Sequence, residues 1–132
     1  MSGEVMSLRA IWVGERDIEA ETSGGERIGM GEGDPRPTEY LLAGIAGCAA
    51  KTFLRVATER GIDIEAINIE VTARRASGIP EVFEHILVIF EVIAPEVSDE
   101  ELDEILQLTD RECPVVQSLV AGVEIVLDLK TM

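Results

Sequence analysis

Polar and apolar residues alternate along Asp63–Ala73 (DIEAINIEVTA), putting Ile64, Ile67, Ile69 and Val71 mostly on one face and predicting a β-strand. Residues 82–94 (VFEHILVIFEVIA) are richer in β-branched and aromatic side chains and predict a buried strand. With only residues 74–80 between them, the two form a hairpin. Upstream, 5–13 (VMSLRAIWV) predicts a strand, GERD at 14–17 a turn, and 18–22 a second strand. The glycine-rich segment 23–34 carries a third short strand before a loop. A helix of different texture follows, opened by Pro37 or Thr38 and stopped near Arg60-Gly61. Its middle, LLAGIAGCAAKTFL at 41–54, holds no acid and surrounds Cys48 with six alanines and glycines.

Ser98-Asp99-Glu100-Glu101 reads as a capping box, with Ser98 at the N-cap. The helix behind it stripes Leu102, Ile105, Leu106 and Thr109 along one side. It should end near Cys113, because the residue before a proline avoids helical geometry. Pro114–Val120 predicts a short second helix, and Gly122–Lys130 (GVEIVLDLK) a last strand. The order βββ-α-ββ-αα-β belongs to the α+β class, with β-sheets wrapped around one very apolar helix. At 132 residues the chain is expected to be a single domain, 1–132.

Composition narrows the partners. The net charge is −15, and the only lysines are Lys51 and Lys130. Nucleic acid and anionic membrane both require basic patches, so neither is an expected partner. Aromatic residues make up 4%, too few for a base-stacking platform. The glycines of 23–34 match neither a P-loop nor a dinucleotide fingerprint, and the acids among them would repel phosphate. The N-terminus lacks a signal-peptide pattern, and the low-charge stretch 40–50 is too short to cross a bilayer. A cytoplasmic location is expected, where thiols are reduced at rest. His85 is the only histidine and there is no CxxC, so no metal site and no bound cofactor are expected. His85, in mid-strand, is read as a core or interface residue.

Cys48 and Cys113 lie 65 positions apart (113 − 48), one in the apolar helix and one at a helix end. Two readings are open. Both can be inert core cysteines. Alternatively, Gly44 and Gly47, each costing roughly 0.5–1 kcal/mol in a helix, mark a close approach by another backbone or a substrate. In that reading the Cys113-Pro114 step places a thiol where it can move. A peroxide-cleaving thiol also needs a cation, since burial alone raises its pKa. Cys48 lies roughly 15 Å into the helix, beyond useful reach of the helix dipole. Lys51 and Arg55, at i+3 and i+7, share its face.

PTEYLLAGIAGCAAKTFLRVATERGI, followed by strands and then RECPVVQSL, resembles the OsmC/Ohr family of thiol-dependent peroxidases over roughly residues 5–130. The resemblance implies an intertwined homodimer with its apolar helices buried centrally and its sites at the subunit interface. It implies that Cys48 is the peroxidatic cysteine and Cys113 the resolving one, with a small organic hydroperoxide as substrate and an external dithiol as reductant. It further implies an arginine from the N-terminal hairpin. GERD resembles the family's turn and makes Arg16 the choice, with Arg27 and Arg36 in reserve. Thr38 stands where the organic-hydroperoxide branch carries its acid, and Glu39 sits one place later, as in other members. At about 100° per residue, Thr38 falls roughly 80° from Cys48 and Glu39 on the opposite side. That departure keeps a second class open: an OsmC-like redox sensor or apolar-ligand-binding protein.

Overall fold

The computed structural model describes residues 3–130. Its elements are β1 (Leu8–Gly14), β2 (Asp17–Thr22), β3 (Arg27–Gly29), α1 (Pro37–Glu59), β4 (Ala66–Arg75), β5 (Phe83–Ile93), α2 (Asp99–Glu112), α3 (Pro114–Leu119) and β6 (Glu124–Leu129). This is the expected order and the expected mixed α+β class. The chain forms two compact units, dividing at Leu41/Leu42.

The N-terminal unit is an antiparallel sheet in the order β1-β2-β3. Gly14 pairs with Asp17, leaving Glu15 and Arg16 as the two residues of a tight hairpin. Such turns need left-handed backbone, here supplied at Glu15 with φ 47°. The Trp12 indole N–H donates to the Glu15 carbonyl at 2.8 Å, fixing the turn. Apolar side chains of β1 stay in the open, with Trp12 68% and Leu8 57% exposed. The first turn of α1 is tied to β3 by the Tyr40 hydroxyl, which donates to the Gly29 carbonyl at 2.6 Å.

In the second unit β4 and β5 form the anticipated antiparallel hairpin, while β6 returns parallel to β5. The period-2 pattern puts Ile86, Val88 and Phe90 of β5 on one face, beside Ile69 and Val71 of β4 and Ile125 of β6. These residues share a single core with Ile45, Ala49, Phe53 and Val56 of α1 and with Ile105 and Leu106 of α2. The rings of Phe53 and Phe90 meet with centroids 5.2 Å apart and planes tilted by 33°. His85 is not in this core. It is half-buried, and its Nε2 lies 3.1 Å from Glu124 Oε1 across the β5–β6 pair, where strand register rather than burial places it.

At 23 residues α1 is longer than its low-charge stretch suggested, long and apolar enough to cross a membrane by length and composition alone. Here one face of it is spent on the sheet. Gly44 and Gly47 lie on another, and a Cβ built on either would meet nothing within 4 Å. The close approach expected at these glycines is not supplied by the described residues of their own unit. Truncating Phe53 to alanine should cost about 3–5 kcal/mol, read from denaturant unfolding of the reduced protein, because a sealed core cannot collapse into the space.

Candidate active site

Cys48 occupies the border of the buried face of α1, between core residues Ile45, Ala49 and Thr52 and the open glycine face. It is half-buried. The Thr52 hydroxyl donates to the Cys48 carbonyl at 2.8 Å, adding a second bond to that peptide group. Cys113 arises from a different local rule. Proline has no N–H and restricts the residue before it, so α2 ends at Glu112 and Cys113 takes extended geometry, φ −71° and ψ 112°. Pro114 then opens α3, leaving Cys113 both the last cap of one helix and the first cap of the next. Gln117 of α3 donates its side-chain N–H to the Asp110 carbonyl at 2.7 Å, satisfying an end group of α2 across the break.

These two rules bring the sulfurs together. The Cys113 thiol donates to Cys48 Sγ at 3.3 Å, and both cysteines are free. Cys113 is fully buried. Burial pushes its thiol pKa up, opposed by the backbone amide of Val116, and the hydrogen bond to Cys48 pushes it up further. The two thiols are thus unequal, one sealed and holding its proton, the other reachable from outside.

The charged candidates are placed as follows. Arg55 does not face a sulfur; its guanidinium bonds Glu59 at 2.8 Å and Glu112 at 2.9 Å. Lys51 is exposed on the flank of α1. Arg16 sits at the tip of the β1–β2 hairpin beside Asp17, Met30 and Glu32. Among the described residues its guanidinium has no hydrogen bond or ion pair. Arg27 bonds Glu19 at 2.7 Å. Glu39 accepts the Arg36 backbone N–H at 2.9 Å, with the Arg36 guanidinium 3.7 Å away. That is the reach-back of an N3 acid to its own N-cap, so Glu39 secures the start of α1. Among the described residues no group of three or more histidine, cysteine or acidic side chains could hold a metal ion. The bridge from Arg55 to Glu112 escaped sequence reading. Its i,i+4 half with Glu59 was there to be read, but its partner 57 positions away carried no local signal.

Comparison with known proteins adds the family context. A family model described as OsmC-like protein matches residues 29–128. The chain is 26% identical over 125 residues to Protein YhfA of Escherichia coli strain K12, covering 91% of this chain and 93% of that one. An OsmC-like protein from Mycoplasma pneumoniae superposes with a TM-score of 0.85 at 20% identity, covering 98% of both chains. The organic hydroperoxide resistance protein OhrB of Bacillus subtilis gives 0.71 at 18% identity, over 98% of this chain and all of that one. At these identities the structural likeness speaks for fold alone.

The raised Cys113 pKa sets a pH dependence. The unfolded chain releases this proton near the ordinary thiol value of 9.0, and the folded chain only at higher pH. Folding stability should therefore be complete below that value and fall as pH rises through it. Denaturant unfolding of reduced protein between pH 7 and 10 should show this slope, and Cys113→Ala should flatten it.

Proposed function

The chain belongs to the OsmC-like protein family, and on that premise we propose that it is a cysteine-based peroxidase acting on small organic hydroperoxides. The observation that carries this reading is the 3.3 Å contact between Cys48 and Cys113. Cys48, the more accessible sulfur, is the nucleophile. As a thiolate it attacks the distal peroxide oxygen, the O–O bond breaks, an alcohol leaves after taking a proton, and Cys48 becomes a sulfenic acid. The Cys113 sulfur then attacks the Cys48 sulfur, the S–S bond forms and water departs. An external dithiol reopens the disulfide by two exchange steps and is itself oxidised, so no bound cofactor takes part.

Arg16 is the arginine assigned to the thiolate. Of the three candidates, Arg27 is held by Glu19 and Arg36 lies beside Glu39, whereas Arg16 has no partner among the described residues. The resemblance assigns Glu39 the restraint of that arginine, a role it can take only by leaving its hold on the Arg36 N–H. The apolar residues left open on β1 and the glycine face of α1 support a homodimer, in which a second copy covers them. A cytoplasmic setting, with neither nucleic acid nor membrane as partner, accords with the charge of −15. The engagement of Glu39 at its own helix start favours a second reading, in which the protein senses an oxidant or holds an apolar ligand without turnover.

Adding cumene hydroperoxide to reduced protein should consume both free thiols, and Cys48→Ser should abolish peroxide consumption while Cys113→Ser halts after one turnover. Arg16→Ala should slow the first step by roughly 10²-fold, the scale of losing one charge-stabilising donor. Thiols that stay free, or a full-rate Cys48→Ser variant, sink the peroxidase. Reaction of one equivalent followed by arrest in the presence of dithiol identifies the sensor.

A further inference from the structure

One ionic cluster beside the thiols plays no part in the chemistry above. Arg55 lies seven residues beyond Cys48 on α1, and Glu112 immediately precedes Cys113. Nη1 of Arg55 contacts Glu59 Oε1 at 2.8 Å, within its own helix, and Nη2 contacts Glu112 Oε1 at 2.9 Å on α2. We propose that Arg55 is a positioning residue for disulfide formation, holding the end of α2 through Glu112 so that Cys113 stays within reach of Cys48.

This rests on the two thiols being a redox pair, and three features of the surroundings support it. The end of α2 is where the helical ladder is interrupted, so the segment carrying Cys113 lacks the restraint of a continuing helix. The residues flanking Cys48 at 46–50 are all alanine or glycine, too short to make an ionic hold on α2. Arg55 also uses both terminal nitrogens of its planar fork on separate carboxylates, so one side chain ties α1 to α2. Glu59 fixes the arginine on α1, and Glu112 transmits the hold to the residue next to the sulfur.

A second ion pair links the residue just beyond α1 to α2 and serves as an internal control. Arg60 Nη1 contacts Glu104 Oε2 at 2.7 Å, near the middle of α2 and eight residues before Glu112. If ion pairs merely add stability to this seam, removing either should act alike. If Arg55 positions the thiol, only its removal should move the thiol chemistry.

The test is thiol–disulfide equilibrium in a dithiothreitol buffer without peroxide, where the protein dithiol and oxidised dithiothreitol exchange for protein disulfide and reduced dithiothreitol. Arg55 and Glu112 are about half exposed, at 46% and 43%. Arg55→Ala and Glu112→Gln should therefore each shift the equilibrium roughly two- to five-fold toward the dithiol, the range open to exposed ion pairs. The double variant should shift it no further than Arg55→Ala alone, since both changes remove the same Arg55–Glu112 bond. Arg60→Ala should lower the melting temperature comparably and leave the equilibrium unchanged. Equal shifts in the Arg55 and Arg60 variants, additive shifts in the double, or no shift at all overturn the assignment. Wild-type protein that forms no Cys48–Cys113 disulfide in this buffer overturns both the redox pair and the positioning role. Protein that forms the disulfide yet consumes no peroxide overturns only the peroxidase.

Discussion

Two sulfurs can stand 3.3 Å apart only if the interior of one helix meets the end of another at side-chain range, and most of the second unit follows from that demand. A cysteine in mid-helix has little freedom to travel, so the backbone carrying the other must come to it. Ile45, Ala49 and Phe53 bed α1 on Ile86, Val88 and Phe90 of β5. Ile105, Leu106 and Val116 anchor the two shorter helices in the same core. Pro114 breaks the chain direction at the one residue whose side chain must turn inward. Small residues around Cys48 keep the approach clear.

Little of the local structure was hidden in the sequence. Period-2 alternation in 66–75, β-branched and aromatic richness in 83–93, Ser98 as a helix start and Pro114 as a helix stop are all rules with a range of a few residues. The Ser98 hydroxyl does accept the Glu101 N–H. Longer-range features were another matter. Nothing in GVEIVLDLK says that the last strand runs parallel to β5, because its alternation suits either direction. The meeting of Cys48 with Cys113 was suggested by resemblance, and only folding brings 65 residues of separation down to van der Waals contact. Glu39 shows the opposite case. Its i,i+3 relation to Arg36 is local and marks a helix cap, while the family resemblance draws the same acid toward the site.

Charge is distributed with some economy. In a chain with 26 acids and 11 lysines and arginines, most cations are taken by neighbouring carboxylates. Arg27, Arg55, Arg60 and Lys130 are each bonded to a glutamate. Arg55 is the clearest case: a cation on the same helix face as Cys48 is committed to two acids, one of them beside Cys113. Arg16, at the Glu15-Arg16 turn, keeps no such bond among the described residues.

The position of the two cysteines along the chain has one further effect. A bond between them closes a covalent ring over residues 48–113, enclosing the latter half of α1, the β4–β5 hairpin and all of α2. Strand β6 stays outside that ring, paired with β5. In the chain-entropy account a loop of this size removes about 4 kcal/mol of freedom from the unfolded chain. Closing that bond would turn the molecule from an open thread into a lassoed one, so its lifetime against proteolysis would follow the state of the two thiols.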